Sequence, residues 1–330
     1  MDILPVICLT LTFISSLFLT KWWIIRAKRA GLVSKDMHKP ERTAAEIGGL
    51  PVLISFLFGI LLYTGYRTFF KGILEFNLEI LAAVSTITII AIIGIMDDIL
   101  GWKLGLKQWQ KPLLCLFAAL PVMMTNIGQS SMLLPLIGEI NLGLLYPLLI
   151  VPIAISFAAN GFNMLAGYNG LEASMGIIIL TTLGFITWFS QGFPRVAMLA
   201  FVMVASLTAF LAYNKYPARI FPGNTLTYTV GALIAIIAIL GDIEKIALLL
   251  FLPYLLEIFL KATGKFRRES FAKPSEDGSL ELPYKRIYSL EHLTIAFLKK
   301  LKRKAYEKEV VYTILALETF LAMSAILITI

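Results

Sequence analysis

The sequence predicts an all-α, polytopic integral membrane protein. Of its 330 residues, 58% are hydrophobic and 15% are charged, a composition far more apolar than that of a soluble protein. A membrane-spanning helix needs roughly 20 apolar residues, and ten segments of the chain reach or approach that length. We therefore expect a single membrane-embedded domain, residues 1–330, with about ten transmembrane helices.

The apolar segments alternate with polar connections along the whole chain. They are Ile3–Ile25, Ile47–Tyr66, Leu78–Met96, Pro112–Thr125, Leu142–Ala159, Leu171–Phe189, Val196–Ala212, Thr225–Leu240, Ile246–Leu260 and Val310–Ile330. The first has no small-residue cleavage site after it, so we expect a retained helix and not a signal peptide. The fourth is the shortest. Cys8 and Cys115 lie in separate apolar segments, and their positions predict no disulfide.

Basic residues are concentrated in alternate connections. The odd-numbered connections hold 24 of the 29 Lys and Arg residues, and the net charge is +8. The positive-inside rule places these connections in the cytosol and both termini on the extracytosolic side. The ninth connection, residues 261–308, holds 13 of the basic residues and is the only one long enough to fold over a site. This placement indicates membrane topology and binding of phosphate or anionic lipid, and it argues against nucleic acid as a partner.

Two adjacent carboxylates end the third segment, in the stretch IIGIMDDILGWK. Asp97 and Asp98 would lie at the cytosolic C-terminus of a helix, where the helix dipole disfavours an acid by about 0.3–1 kcal/mol. A compensating cation is therefore expected, and Mg²⁺ held by carboxylates and substrate phosphates is the natural candidate. The alternative is a simple helix end neutralised by Lys103, Lys107 or Lys111.

Three asparagines interrupt the apolar sequence in the fifth connection, FAANGFNMLAGYNGLEA. An unsatisfied amide at the edge of a membrane costs several kcal/mol, so Asn160, Asn163 and Asn169 must each be paired or bind a ligand. The next helix is expected to begin near Gly170-Leu171 and to present its N-terminus, which favours anions, to the cytosol. An ordinary polar loop is the alternative.

The seventh connection, AYNKYPARIFPGNTLTY, repeats this arrangement. Pro222-Gly223 predicts a turn, Asn224 or Thr225 is expected to cap the next helix, and Phe221 is an exposed aromatic residue at the same depth. Two helix N-termini and an acidic pair on one membrane face describe a site for a metal-bound polyphosphate. A transporter with broken helices would instead place its polar interruptions near mid-membrane in paired repeats, and the sequence has no such internal repeat.

Several other charged residues are candidates on weaker grounds. Glu46, at the mouth of the second helix, suits either a ligand-facing edge or a solvated anchor. Arg267 and Arg268 suit bidentate phosphate contacts, although they would look the same as positive-inside charges. Glu257 and Glu318 lie inside apolar segments and are functional candidates for that reason. The stretch TIAFLKKLKRKAYEKE alternates apolar and basic residues, which predicts a helix lying on the lipid headgroups.

Together, the motifs MDDILGWK, NGFNMLAGYNGLEA and YNKYPARIFPGNTLTY resemble the polyprenyl-phosphate N-acetylhexosamine-1-phosphate transferase family. The resemblance covers nearly the whole chain and includes GGLPVL and EDGSLELPYKRIYSLEHL. It is strongest to the eukaryotic and archaeal branch, the UDP-GlcNAc–dolichyl-phosphate GlcNAc-1-phosphate transferases. The bacterial peptidoglycan branch usually has a second acid pair in the asparagine region and a histidine cluster in the ninth connection. This chain has Asn169-Gly170-Leu171-Glu172 and an isolated His292.

The resemblance implies roles for particular residues. Asp97 and Asp98 would be the catalytic acids, and Asp98, Asn163 and Asn224 would ligate Mg²⁺, or Mn²⁺ in its place. The implied substrate-binding residues are Lys111, Asn160, Asn169, Glu172, Phe221, Gly223, Arg267, Arg268 and Glu46. The family usually has Asp where this chain has Asn224, which removes one negative charge. The metal would then depend more on the acidic pair and on the substrate phosphates.

The resemblance also implies a reaction. GlcNAc-1-phosphate would pass from UDP-GlcNAc to dolichyl or another polyprenyl phosphate with release of UMP, the first step of lipid-linked oligosaccharide assembly for N-glycosylation. The lipid phosphate, whose second pKa is about 6, would attack the β-phosphorus directly, with Asp97 orienting or deprotonating it. An aspartyl-phosphate intermediate is the rival path. The alternative functions are a bacterial-type undecaprenyl-phosphate sugar-1-phosphate transferase and a transporter of lipid-linked or nucleotide sugars.

The expected partners are therefore the two substrates and membrane lipids, and a homodimer is left open. The expected location is an archaeal cell membrane in preference to the endoplasmic reticulum, with the active site facing the cytosol.

Overall fold

The computed structural model describes residues 3–75, 77–126, 128, 131–134 and 138–329, with the backbone alone at 40, 102–103, 131–134 and 138–140. Helices dominate it. They are α1 (Leu4–Arg29), α2 (Gly49–Lys71), α3 (Asn77–Leu104), α4 (Gln110–Ala118), α5 (Leu120–Met124), α6 (Val151–Met164), α7 (Leu171–Phe189), α8 (Pro194–Asn214), α9 (Gly223–Leu240), α10 (Glu244–Leu250), α11 (Leu252–Thr263), α12 (Leu290–Lys302) and α13 (Glu307–Thr329). A π-helical turn, Tyr146–Ile150, leads into α6.

Eight helices in the described ranges are long and apolar enough to cross a membrane: α1, α2, α3 as far as Gly101, α6 with its preceding turn, α7, α8, α9 and α13. The prediction of an all-α, polytopic membrane protein is confirmed. The other two predicted segments are broken helices. The segment at Gln110–Met124 is shorter than a span, and α10 and α11 bend by 59° and count as one more span at most.

Proline explains both breaks. Pro121 lies at the second position of α5 and Pro253 at the second position of α11. A proline lacks the amide that would continue the helical hydrogen bonds, and it disfavours helical geometry at the residue before it. An apolar run that contains a proline can therefore have the length of a span without forming one straight helix.

The bundle is organised around α9. Every residue from Thr225 to Leu240 is buried, whereas only 28% of the α1 span and 33% of the α13 span are buried. A helix that is apolar on all sides suits the centre of a bundle, and half-buried helices suit its lipid-facing edge. The two cysteines are free and buried, as predicted.

Helix α3 packs closely against the first turn of α9. A Cβ atom at Gly94 would lie 2.6 Å from the Cα of Thr225, well inside van der Waals contact. Glycine at position 94 therefore allows the two backbones to approach each other directly. This crossing lies one turn before the acidic pair, so it sets the distance between Asp97, Asp98 and α9.

Short hairpins that the sequence analysis did not predict lie in the connections. They are β1 (Val33–Asp36) with β2 (Lys39–Ala45), β3 (Ser131–Leu134) with β4 (Gly138–Asn141), and β5 (Lys273–Pro274) with β6 (Leu280–Glu281). All three pairs are antiparallel. The end of β2 also pairs with the connection before α9: the amide of Ala45 donates to the carbonyl of Arg219 at 3.1 Å, and the amide of Phe221 donates to the carbonyl of Ala45 at 2.8 Å.

The predicted helix in the ninth connection is present as α12. It exposes Leu293, Phe297 and Leu301, which are spaced by four residues and so share one face. The helix ends where Arg303 adopts a left-handed conformation, with φ of 70°. Its location on the lipid headgroups stays a prediction.

The close crossing at Gly94 leads to a stability prediction. Gly94→Ala should lower the melting temperature in detergent, because the added methyl group forces α3 away from α9, at a cost of about 1–3 kcal/mol. Gly65→Ala is the matched control in the middle of α2, where nothing lies within 4 Å of the added carbon. Gly65→Ala should leave the melting temperature unchanged or raise it, since alanine is the better helix former. Equal melting temperatures for both variants would contradict this packing.

Candidate active site

The carboxylate of Asp98 caps the N-terminus of α9. Its Oδ1 accepts the amide of Asn224 at 2.7 Å, and its Oδ2 accepts the amide of Thr225 at 3.0 Å and the Thr225 hydroxyl at 2.6 Å. A carboxylate in this position satisfies amides that have no partner within the helix and interacts favourably with the helix dipole. The prediction that Asn224 or Thr225 caps this helix is wrong, because the helix already begins at Gly223 and Asp98 of α3 supplies the cap.

Gly223 makes this capping contact possible. Its φ is +70°, a conformation that favours glycine, and a Cβ atom there would collide with the Asp98 carboxylate. The turn predicted at Pro222-Gly223 therefore brings the first turn of α9 directly onto the acidic pair.

Asp97 has a different set of partners. Its Oδ2 forms an ion pair with Lys111 Nζ at 2.6 Å and accepts the side-chain amide of Asn224 at 2.8 Å, and its Oδ1 accepts the amide of Leu106 at 2.8 Å. The unfavourable position of the two acids at a helix end is thus compensated by Lys111 and by the N-terminus of α9. Asn224 donates a proton that an aspartate could not donate when ionised, which is a physical reason for the amide at this position.

The three lysines after the acidic pair do not share a helical face. α3 ends at Leu104 and α4 begins at Gln110, so Lys107 lies in the turn between them and Lys111 lies in the first turn of α4. The Lys103 side chain lies outside the described part of the chain. Lys111 is the lysine of this group that the described contacts connect to the acidic pair.

Two of the predicted asparagines lie on α6 and are hydrogen-bonded. The Asn160 side-chain amide donates to the carbonyl of Ser156 at 2.8 Å, and Asn163 Oδ1 accepts the Thr227 hydroxyl from α9 at 2.7 Å. A carbonyl oxygen has two lone pairs, so Asn163 retains one for a further partner.

The third asparagine is held behind the site. The backbone amide of Asn169 donates to Glu307 Oε1 at 2.9 Å, and its side-chain amide donates to Asp36 Oδ2 at 2.9 Å. Glu172 is buried and accepts the amide of Gly167 at 2.7 Å. The helix after this stretch begins at Leu171, as predicted. The loop before α7 is therefore fixed by carboxylates on several elements.

Two polar cavities lie at this end of the bundle. The first, of about 440 Å³, is lined by eight of the predicted site residues: Glu46, Asp98, Asn163, Asn169, Glu172, Phe221, Gly223 and Asn224. The second, of about 600 Å³, is lined by Lys111, Asn160, Asn163, Arg267 and Arg268. Asn163, Met164, Lys261 and Glu269 line both cavities. The structure therefore brings all the predicted residues except Asp97 to one of two adjoining cavities.

Asp97 is not among the lining residues of either cavity. It is only 5% exposed, and its partner Lys111 lines the second cavity. Asp97 therefore acts on that cavity through Lys111 in this arrangement.

Lys261 is a functional candidate that the sequence reasoning missed. Its Nζ lies between the cavities, where it donates to the carbonyl of Met164 at 2.6 Å and pairs with Glu257 Oε1 at 3.2 Å. Glu257, to which the sequence reasoning assigned no partner, also accepts the amide of Leu290 at 2.6 Å. The spacing could have predicted the Glu257–Lys261 pair, because the two residues are four apart on one helix. Glu318 lines neither cavity.

The ninth connection contributes to both cavities. Glu269, Ser270 and Phe271 line the first, and the Arg268 guanidinium lies 5.1 Å from the ring centre of Tyr284. Tyr168 lines the first cavity as well, where burial and the nearby acids raise the pKa of its phenol well above the usual range. This phenol stays neutral and is a hydrogen-bonding group at the cavity.

The sequence of this chain is similar to those of known proteins. The profile of glycosyl transferase family 4 matches residues 80–242. A Saccharolobus solfataricus protein, provisionally named UDP-N-acetylglucosamine–dolichyl-phosphate N-acetylglucosaminephosphotransferase, is 34% identical over 99% of this chain and 96% of its own length. The Saccharomyces cerevisiae protein of that name is 29% identical over 72% of this chain and 62% of its own.

A bacterial relative is similar over a shorter part of the chain. The phospho-N-acetylmuramoyl-pentapeptide-transferase of Clostridium botulinum, strain Alaska E43, is 31% identical over 62% of this chain and 61% of its own length. The likeness over nearly the full length is thus to an archaeal protein of the dolichyl-phosphate branch. These matches confirm the resemblance to the polyprenyl-phosphate N-acetylhexosamine-1-phosphate transferases, and the chain belongs to glycosyl transferase family 4.

Proposed function

We propose that the protein transfers GlcNAc-1-phosphate from UDP-GlcNAc to dolichyl or another polyprenyl phosphate and releases UMP. The observation that supports this most is the pair of polar cavities that adjoin at Asn163 and Lys261. A reaction between a nucleotide sugar and a lipid phosphate needs two such sites, with the reacting phosphates held at their junction. The names of the relatives support the same two substrates.

The first cavity is proposed to hold the sugar nucleotide. Phe221 offers an aromatic surface for a base, and the loop that carries Asn169 is fixed from behind. Asp98 and Asn163 both line this cavity, and Asn163 also lines the second. The pyrophosphate would therefore lie nearest to the junction.

The second cavity is proposed to hold the lipid phosphate. Lys111, Arg267 and Arg268 line it, and cationic side chains are suitable partners for a phosphate dianion. An apolar cavity of about 180 Å³ runs along the same helix α6, and its lining includes Ala154 and Phe157. Phe157 is three residues before Asn160, so an isoprenoid chain could continue from the phosphate along this face of α6.

Magnesium fits three residues that line the first cavity: Asp98, Asn163 and Asn224. Mg²⁺ takes oxygen ligands and is usually held by one or two carboxylates together with substrate phosphates. Asp98 and Asn163 each retain an oxygen lone pair after the contacts described above. Asn224 donates its amide nitrogen to Asp97, which leaves its oxygen free. When bound there, the ion would neutralise charge on the pyrophosphate, and Mn²⁺ is the alternative.

The residues that line the two cavities would then support direct attack of the lipid phosphate on the sugar nucleotide. An oxygen of the lipid phosphate forms a bond to the β-phosphorus of UDP-GlcNAc, and the bond from that phosphorus to the bridging oxygen breaks, so UMP leaves with the electron pair. Lys111 and the two arginines hold the attacking phosphate. Asp97 is a positioning residue that fixes Lys111 and Asn224. The absence of Asp97 from both cavity linings favours this direct path over an aspartyl-phosphate.

We place the active site on the cytosolic face, because the odd-numbered connections, four of which carry basic residues, all contribute to the two cavities. An archaeal cell membrane is preferred to the endoplasmic reticulum on the strength of the archaeal relative. The homodimer stays a prediction.

The proposed reaction is tested by UMP release from purified protein supplied with UDP-GlcNAc, dolichyl phosphate and Mg²⁺. Asp97→Asn should lower the rate by about 10²-fold, because Lys111 loses its counter-charge and moves away from the acceptor phosphate. Asp242→Asn is the matched control at an exposed turn with φ of 53°, and it should retain the full rate.

Three outcomes would contradict this account. An unchanged rate in Asp97→Asn would remove the proposed role of that residue. A burst of one UMP per chain without lipid acceptor would favour the aspartyl-phosphate path. Folded protein that releases no UMP with either dolichyl or undecaprenyl phosphate would contradict a transferase and favour the transporter.

Metal removal gives a separate prediction. EDTA should abolish UMP release, and added Mg²⁺ should restore it. Asn163→Ala should raise the Mg²⁺ concentration needed for half-maximal rate by about tenfold or more, because it removes a ligand oxygen. Asn77→Ala, at the opposite end of α3, is the control. Full activity in EDTA, or equal Mg²⁺ dependence in the two variants, would argue against this metal site.

A further inference from the structure

We propose a second metal site in this protein, formed by Asp36, His38 and Glu307 and selective for a Zn²⁺-type transition metal. It lies behind the first cavity and shares no residue with the magnesium site proposed above. Its three residues come from the end of β1, the turn between β1 and β2, and the start of α13. Segments that are far apart in the sequence thus supply one compact cluster.

The geometry of the cluster suits a single ion. One ligand atom of each residue lies within 4.8 Å of those of the other two, and His38 Nδ1 lies 3.7 Å from Glu307 Oε1. Zinc bonds to nitrogen and oxygen are about 2.0–2.2 Å long and their arrangement is tetrahedral, so two ligands of one ion lie about 3.3–3.6 Å apart. His38 Nδ1 and Glu307 Oε1 are already close to that spacing, and binding would contract the widest pair by about 1.5 Å at most.

The cluster is buried and incompletely paired. Asp36, His38 and Glu307 are at most 5% exposed. Among the described residues, neither ring nitrogen of His38 has a hydrogen-bond partner, and neither has Glu307 Oε2. A buried polar atom without a partner costs about 1–3 kcal/mol, and an ion is one of the standard reasons for such atoms in a folded protein.

Charge supports the same conclusion. With a neutral imidazole, the two buried carboxylates carry two negative charges, and a divalent ion balances both. Two carboxylates and one imidazole are a ligand set for Zn²⁺ and the neighbouring first-row transition metals, whereas Mg²⁺ prefers oxygen ligands alone. Three protein ligands leave a fourth position for water.

The surrounding residues orient these ligands. The Asn169 side chain donates to Asp36 Oδ2 and its backbone amide donates to Glu307 Oε1. The ring of Tyr168 lies 4.3 Å from that of His38, measured between centroids. Hydrogen bonds and packing of this kind fix the direction of ligand side chains in metal sites. The ion would thus join the hairpin, α13 and the loop before α7 into one unit.

One consequence rests on the proposed function. Because Asn169 lines the first cavity, loss of the ion should loosen the sugar-nucleotide side of the site and raise the KM for UDP-GlcNAc more than it lowers kcat. The metal site itself is tested without any activity measurement.

The test is metal content and Co²⁺ binding of the full chain, purified without a histidine tag. Wild-type protein should hold about one Zn²⁺ per chain and, after its removal, bind Co²⁺ with a visible ligand-field absorption band. His38→Ala should lose the bound zinc and weaken Co²⁺ binding by about tenfold or more. His292→Ala is the matched control, since His292 is the only other histidine of the chain and its buried side chain lies on α12, outside the cluster.

A second pair of variants keeps the test decisive if His38→Ala does not fold. Glu307→Gln preserves side-chain size and should also lose the metal, whereas Glu309→Gln, which removes the exposed partner of Lys302, should retain it. Removing zinc should lower the melting temperature of wild-type protein and leave that of Glu307→Gln unchanged. A metal-free wild type that binds neither ion, or binding that survives both His38→Ala and Glu307→Gln, would overturn the proposal. Wild-type protein that binds neither Zn²⁺ nor Co²⁺ at this cluster, yet releases UMP when supplied with Mg²⁺, would overturn the second metal site without affecting the proposed function.

Discussion

The contact between the Asp98 carboxylate and the N-terminus of α9 is the interaction on which the site depends. It joins the C-terminal part of α3 to the N-terminus of α9, which packs beside it, and it requires the left-handed Gly223 at the start of α9 and the small Gly94 on α3. A cap supplied by another helix fixes the relative position of both elements, which a cap within α9 would not do. The positions of Asn224, Thr227 and, through Thr227, Asn163 follow from it.

The two neighbouring acids therefore have separate tasks. Asp98 caps α9 and lines the first cavity, whereas Asp97 holds Lys111 at the second. Asn224 connects them, because its backbone amide donates to Asp98 and its side chain donates to Asp97. An aspartate at position 224 would place a third carboxylate in this group. The Asn224 side-chain amide thus keeps this network hydrogen-bonded. The site then has one negative charge fewer than the family pattern, which usually has Asp at this position.

Much of this arrangement could be predicted from the sequence. Apolar segment length predicted the membrane fold, charge placement grouped the connections that line the two cavities, and all the predicted site residues except Asp97 line one of these cavities. Tertiary contacts could not be predicted in the same way. Spacing alone does not show that Asp98 caps α9, or that Asp36 and Glu307 meet at Asn169. The predicted spans that failed to form straight helices contain proline, whose local effect outweighs the apolar character of the run.

The division of labour in the acidic pair is tested most directly by amide hydrogen exchange at Asn224 and Thr225, measured residue by residue in detergent. Asp98→Ala removes the acceptor of both amides and should increase their exchange rates by about tenfold or more. Asp97→Ala leaves those two hydrogen bonds intact and should keep the wild-type rates. Unchanged exchange in Asp98→Ala, or equal acceleration in both variants, would contradict the account.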